Sequence, residues 1–298
     1  AMKILGHQFV IGRDIQEAMK TARPQEKQGY RYSYDMLGEA ARTAKDAARY
    51  FKAYVDAIDA IGQTVEGYQE EASPITSAGI SVKLSALHPR YFVSQADKAV
   101  PILVERLSAL ALQCKKYNIG LTVDAEAAHR LDISLQIIEA VRMNPQLNGW
   151  NGFGLAVQAY QKRAWKTLDW LAELARTSGH SLMVRLVKGA YWDYEIKHAQ
   201  VSGYAGYPVF SKKSITDIAY LACAKKILEN KNIYAKFATH NAHTISSINY
   251  LGQGCEYEFQ RLFGMGELLY KSASDILKLD KAPSVYAPIG SYKDLLPY

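Results

Sequence analysis

From Tyr30 to Pro288 the chain alternates between two kinds of segment, and this alternation constrains its fold more than any other feature. Short apolar or aromatic runs recur at Tyr30–Met36, Ile80–Leu84, Leu121–Asp124, Gly154–Gln158, Met183–Val187, Tyr234–Ala238, Tyr257–Leu262 and Ser284–Pro288. Each has strand length and a branched or aromatic bias. Between them, apolar residues recur every three or four positions, as helices require. One such stripe is Ala40, Ala44, Ala47, Phe51, Tyr54, Ile58 and Ile61. Another is Ile102, Leu103, Leu107, Leu110, Ala111 and Cys114, stopping at Asn118–Gly120. A third runs from Ser134 to Met143, and a fourth carries Trp165, Leu168, Leu171, Ala172 and Ala175 before Gly179. A helix from Ser214 to Asn230 opens with Asp217 in capping-box position. Two weaker ones are expected at Ala242–Leu251 and Glu267–Leu277.

Eight strand–helix units in 298 residues describe an α/β protein of the (βα)8, or TIM-barrel, kind. A doubly wound open sheet would usually carry a glycine-rich phosphate loop after its first strand, and none is present. Residues 1–29 read as a polar N-terminal arm with one helix near Asp14–Thr21, ended by Pro24. Residues 30–298 then form the barrel, and Gly62–Gly79 reads as a long, mobile polar loop.

Hydrophobic residues make up 49% of the chain, enough for a sizeable core. The longest apolar runs fall well short of the roughly 20 residues of a membrane span. No basic-then-apolar leader opens the sequence, so no secretory signal is expected. Cys114, Cys223 and Cys255 are odd in number and far apart, which fits a reducing, cytoplasmic setting without disulfides. Net charge is +7. Such a balance suits nucleic acid, a membrane surface or an anionic cofactor. The basic residues are scattered among acids, which argues against nucleic acid.

In a barrel of this kind, chemistry sits where strands end. Those ends supply Asp35 and Glu39, Lys83, Asp124, Gln158, Arg185 and Lys188, Thr239 with His240 and Asn241, Gln260 with Arg261, and Tyr286. The plainer reading of some of them is a satisfied core pair. The run Leu182–Trp192 is the most telling, because Arg185 and Lys188 lie inside or just past a buried strand. Charges seldom stay there without a partner. Gly189 allows close backbone approach, and Tyr191 and Trp192 offer flat surfaces. A flat, anionic ligand fits these residues. No metal site is expected, because His240 and His243 have no carboxylates at ligand spacing. Two chemistries remain. One is a flavin oxidoreductase; the other is a Schiff-base lyase or aldolase using Lys83 or Lys188. Two cations on one strand favour phosphate binding.

Longer motifs carry a resemblance. They are Arg31-Tyr-Ser-Tyr-Asp-Met36, Gly79-Ile-Ser-Val-Lys-Leu-Ser-Ala-Leu-His-Pro-Arg-Tyr91, Val123-Asp-Ala-Glu126, Val157-Gln-Ala-Tyr-Gln-Lys-Arg163, Arg185-Leu-Val-Lys-Gly-Ala-Tyr-Trp-Asp193, Phe237-Ala-Thr-His-Asn-Ala-His243 and Tyr257-Glu-Phe-Gln-Arg-Leu262. Together they resemble the proline dehydrogenase domain of the bacterial proline utilization A family. The resemblance implies a distorted (βα)8 barrel that binds FAD noncovalently. Such a domain oxidises L-proline to Δ1-pyrroline-5-carboxylate and passes electrons to a membrane quinone, at the inner-membrane periphery.

Residue by residue, Lys83, Asp124, Arg185 and Tyr286 match catalytic positions. Lys83, Tyr191, Leu262 and Tyr286 match the proline site. Gln158 and Arg185 match contacts to the isoalloxazine, and Ala125, Val187, Lys188, Gly189 and Ala190 match its cradle. Trp192 matches the adenine side, and Ser211 and Lys213 match positions near the phosphates. Thr239, His240 and Gln260 also match the cofactor's lining. Amine deprotonation must precede hydride transfer, and the resemblance names no base for it.

Family members carry a further helix after the position of Tyr286, with an Arg–Arg pair that clamps the carboxylate. The 298 residues end at Tyr298, before the position of that pair, and are expected to correspond to the barrel without the aldehyde dehydrogenase domain. Glu39 matches the acidic partner of one of those arginines, and Phe263 stands where relatives commonly have His. A barrel lacking its final helix is therefore expected to bind FAD but to hold proline weakly, by about 2–5 kcal/mol.

Overall fold

The eight apolar runs close on themselves as a parallel barrel in sequence order, with the last strand paired to the first. The strands are β1 (Tyr32–Met36), β2 (Gly79–Val82), β3 (Gly120–Val123), β4 (Phe153–Gln158), β5 (Leu182–Val187), β6 (Ile233–Ala238), β7 (Tyr257–Leu262) and β8 (Ser284–Ile289). The structure is a computed structural model and describes residues 8–65 and 73–291. The stretch after β8 where a final helix would begin, and the middle of the expected Gly62–Gly79 loop, lie outside the described residues.

Alternation along each strand explains where the core sits. Val184 and Leu186 of β5, and Tyr32 and Tyr34 of β1, belong to the apolar layer between barrel and helices. Leu103, Leu107, Leu110, Leu168, Leu171 and Ile227 face them from the helices. The other parity points into the barrel and is mostly polar: Ser33, Asp35, Ser81, Lys83, Thr122, Arg185, Glu258, Gln260 and Ser284 are all buried. Barrels of this kind usually fill that space with branched apolar side chains. Here it holds ion pairs and hydroxyls instead.

The helices mostly follow the apolar stripes, with five corrections. The first barrel helix is Ala44–Val65, not a helix from Ala40. Ala40 adopts a left-handed backbone (φ 52°), and Thr43 and Asp46 exchange side-chain-to-backbone hydrogen bonds of 3.1 and 3.0 Å that start the helix after them. Gly62 lies inside this helix rather than ending it, because a Cβ there would stand 2.2 Å from the Tyr117 ring. Pro24 likewise lies inside the helix Ile15–Glu26. It forfeits one backbone donor near the helix end, and the Lys27 amide still bonds to the Arg23 carbonyl at 3.2 Å. The helix Lys213–Leu228 is not opened by a capping box. Its N-cap is Lys212, and Asp217 is turned to two lysines instead. Finally, Trp192–Val201 is an additional helix; it buries only Glu195 and Ala199, so no apolar stripe marked it.

The N-terminal segment packs on the β1–β8 side. The Ile11 amide donates to the Pro288 carbonyl at 3.0 Å, and the Gly290 amide to the Gly12 carbonyl at 3.0 Å. Ile15, Ala18, Met19 and Ala22 join the core, and the Tyr32 hydroxyl donates to Gln25 at 2.7 Å.

Candidate active site

Four side chains from four strands meet at the carboxyl end of the barrel. Lys83 follows β2, Asp124 follows β3, Arg185 comes from β5 and Tyr286 from β8. Lys83 Nζ donates to both oxygens of Asp35 at 2.9 Å and to Asp124 Oδ2 at 3.1 Å. The Tyr286 hydroxyl lies 2.7 Å from Asp35 and 2.8 Å from Asp124. Arg185 Nη1 donates to Asp124 Oδ1 at 2.6 Å, and its guanidinium lies 5.0 Å over the Tyr286 ring. Asp124 thus receives a different cation on each oxygen. Burial alone would raise its pKa, but Lys83 and Arg185 outweigh burial and hold it below the usual carboxylate range.

The cluster has acidic neighbours. Glu39 is half buried and pushed up by that burial, and its Oε2 has no hydrogen-bond partner. Glu126 accepts from the Ser85 amide at 3.1 Å and from Arg130 at 2.9 Å. Ala125 lies between Asp124 and Glu126 and lines a crevice with them. Tyr191 is raised by burial and by the charges of Glu39 and Glu126, which places its ring beside the same group. Leu262 stands opposite Tyr286 across the β7–β8 pairing, about a third exposed. The proline-site candidates therefore gather around one mouth.

A second, more exposed group extends from β4 and β5. The Ala159 amide donates to the Val187 carbonyl and the Tyr160 amide to the Lys188 carbonyl, both at 2.8 Å. Gly189 adopts φ +133°, and a Cβ there would strike the Tyr160 ring at 2.5 Å, so only glycine fits. Ala190 follows directly, exposed at the strand end. The Pro208–Lys213 stretch is tied to this edge, since the Phe210 amide donates to the Tyr160 carbonyl at 2.8 Å. Trp192 Nε1 donates to the Phe210 carbonyl at 3.0 Å. Ser211 lies within this stretch and Lys213 ends it. Asp217 bridges Lys188 at 2.5 Å and Lys213 at 2.7 Å. One carboxylate against two ammonium groups leaves a net positive, accessible spot.

Gln158 is buried and accepts from Gln161 Nε2 at 2.6 Å, while Gln161 Oε1 has no partner. Just after β6, His240 Nε2 accepts from the Leu262 amide at 2.9 Å, and burial together with Arg261 lowers its pKa. The Thr239 carbonyl accepts from Tyr270 at 2.8 Å. Gln260 is turned elsewhere. Its Nε2 donates to Ser284 at 3.1 Å, and it lines a small polar cavity at the opposite end of the barrel with Arg31, Lys236 and Glu258. Its side chain therefore stands apart from the group around Lys83.

Several participants were not singled out by sequence. In the sequence Asp35 marks only a strand end, yet in the structure it bonds Lys83 through both carboxylate oxygens. Ser33 and Ser81 hold Arg185 from across the barrel. Glu258 joins Lys236 at 3.2 Å and Arg31 at 3.0 Å in a lower ionic layer. Opposite charges at inward parity in β6 and β7 were a usable signal for that pair. Among the described residues, no group of three His, Cys, Asp or Glu side chains is placed to hold a metal ion.

The proline dehydrogenase family profile matches residues 18–298. The bifunctional protein PutA of Salmonella typhimurium is 51% identical over 306 residues, covering all of this chain and 23% of that protein. Proline dehydrogenase 1 of Bacillus subtilis is 25% identical over 95% of this chain and 81% of its own length. A crystal structure of a Bradyrhizobium japonicum proline utilization A variant superposes with TM-score 0.90 at 49% identity, covering all of this chain and 30% of that one. The chain thus spans about a quarter of the bifunctional relatives it matches. With its barrel, its strand-end cluster and this match over nearly its whole length, the chain belongs to the proline dehydrogenase family.

Proposed function

We propose that this chain oxidises L-proline to Δ1-pyrroline-5-carboxylate, the first step of proline catabolism, with FAD as resident cofactor and a membrane quinone as the final electron acceptor. The observation that carries this reading is the buried Lys83–Asp124–Arg185–Tyr286 cluster, with the surplus cations Lys188 and Lys213 beside it. FAD would supply hydride acceptance.

The residues present fit that cofactor. Lys188, Lys213 and Ser211 would hold a pyrophosphate, where their net positive charge favours an anion. The exposed Trp192 would stack on the adenine side. Gln158, Thr239 and His240 would line the ring, with Gln161 Oε1 and Arg185 Nε as buried polar atoms still lacking a protein partner. Tyr191, Leu262 and Tyr286 would wall the proline ring, and Lys83 would face its carboxylate. Positioning of this kind supplies much of the rate in such reactions. Arg185 would stabilise negative charge as it develops.

The lyase alternative fares worse. Lys83 Nζ is committed to Asp35 and Asp124, and Lys188 Nζ to Asp217. An ion-paired ammonium is a poor nucleophile. Residues 30–298 would form the catalytic unit and residues 1–29 an arm, whose described part packs on the β1–β8 side. Among the described residues, no helix is long and apolar enough to cross a membrane.

Retained flavin tests the cofactor assignment. Protein mixed with FAD and freed of excess should stay yellow, and Lys188→Met with Lys213→Met should lose most of that colour. Equal retention by the double variant would remove the phosphate role from both lysines. Proline-dependent reduction of a soluble quinone should accompany flavin binding; none at any proline concentration would sink the activity.

A further inference from the structure

We propose that Ser33 and Ser81 are positioning residues that fix the orientation of Arg185 toward the bound cofactor. This rests on the flavin reading above. Arg185 reaches from β5 across the barrel to β1 and β2. Its Nη2 donates to Ser81 Oγ at 2.8 Å and to Ser33 Oγ at 3.1 Å, and the two hydroxyls lie 2.9 Å apart. Both serines are buried, Ser81 completely.

The arrangement decides which guanidinium edge is left over. With Asp124 alone, bonded only to Nη1, the planar group could pivot about that contact. Two hydroxyls on separate strands stop the pivot, because Nη2 must then lie between them. The ring of Tyr286 packs on the guanidinium face and blocks a tilt. Nη2 is thereby spent on two hydroxyls and Nη1 is anchored on Asp124, while Nε is buried with no protein acceptor. A buried guanidinium N–H left unpaired is unfavourable unless a ligand acceptor completes it. The serines therefore hold Nε–H as a buried donor left for a ligand acceptor, on the residue proposed to face the developing charge. Apolar residues at positions 33 and 81 would let Arg185 turn and re-pair Nε within the protein.

The test uses FAD-loaded protein carrying Ser81→Ala, Ser33→Ala, or both. A misaimed donor should cost less than a deleted one, which is worth 10²–10³-fold in comparable oxyanion sites. The expected loss for Ser81→Ala is about tenfold in flavin reduction rate at saturating proline, with KM changed less than about twofold, since neither serine touches the substrate pocket. The flavin reduction potential should fall by about 30 mV, the equivalent of tenfold for a two-electron couple. In an Arg185→Lys background, Ser81→Ala should shift the potential no further. If the double serine variant fails to fold, Ser81→Cys, which keeps the shape and weakens the bond, should give a smaller shift of the same sign. Unchanged potential in loaded Ser81→Ala, or an equal shift in the Arg185→Lys background, would overturn the proposal. A parent protein that takes up no FAD would instead defeat the flavin reading itself.

Discussion

Replacing Asp124 by Asn probes the ion cluster most sharply. In the folded protein Asp124 accepts from Arg185 at 2.6 Å, Tyr286 at 2.8 Å and Lys83 at 3.1 Å. The cluster pairs the cations Lys83 and Arg185 with the carboxylates of Asp35 and Asp124. In Asp124→Asn the side chain would keep one carbonyl for Arg185 but turn an amide donor toward the Lys83 ammonium, and the cluster would carry one uncompensated positive charge. Removing one partner of a buried pair costs about 3–5 kcal/mol. Lys83 keeps both Asp35 oxygens, so the lower end applies, about 3 kcal/mol. The carboxyl is held below its usual range in the folded state, because Lys83 and Arg185 outweigh its burial. Its contribution is therefore present above the unfolded value of about 3.9 and lost as pH falls through the folded value. Urea unfolding of parent and Asp124→Asn, both in excess FAD, should differ by about 3 kcal/mol at pH 7 and by less at pH 3. A difference under about 1 kcal/mol at pH 7, the range of an exposed pair, would refute the reasoning. So would a difference that does not narrow in acid.

Three further outcomes follow from the same structure. Glu258→Gln should destabilise the barrel by about 3–5 kcal/mol, because Lys236 and Arg31 lose a buried carboxylate; adding Lys236→Met should recover part of it in denaturant titrations. Burial would raise the Glu258 carboxyl, but Lys236 and Arg31 hold it low, so the Glu258 effect should also shrink below about pH 4.3. His240 is kept neutral by burial and Arg261, so the unfolded chain binds a proton that the folded one resists. Stability should decline as pH drops below about 6.5, and His240→Gln should flatten that decline between pH 7 and 5 in thermal melts. Gly62→Ala should lower Tm despite better helix propensity, since the new Cβ meets the Tyr117 ring at 2.2 Å; overpacking of this kind costs about 1–3 kcal/mol.

Much of the architecture was legible because strand and helix periods are local. The run Tyr257–Leu262 coincides with β7, and the other strand boundaries move by a residue or two. Gly179 ends its helix in a left-handed conformation, as expected. The misses share a physical cause, which is that their partners are distant in sequence. Gly62 looks like a helix stop until Tyr117 is seen against it. Asp217 looks like a capping residue until Lys188 arrives from another strand. Ser33 and Ser81 look like tolerated small residues in apolar strands, and only barrel closure brings Arg185 between them. Strand-end polarity marked where Lys83, Asp124, Arg185 and Tyr286 would stand, but it could not aim Gln260, which turns inward to Ser284.

The most direct test of the central claim is the visible absorbance of FAD-loaded protein, recorded without oxygen before and after L-proline is raised to saturation. The flavin band should bleach, and a quinone added afterwards should restore it. A fully loaded protein whose spectrum does not respond to proline, or borohydride trapping of a carbonyl compound on Lys83 or Lys188, would contradict the account.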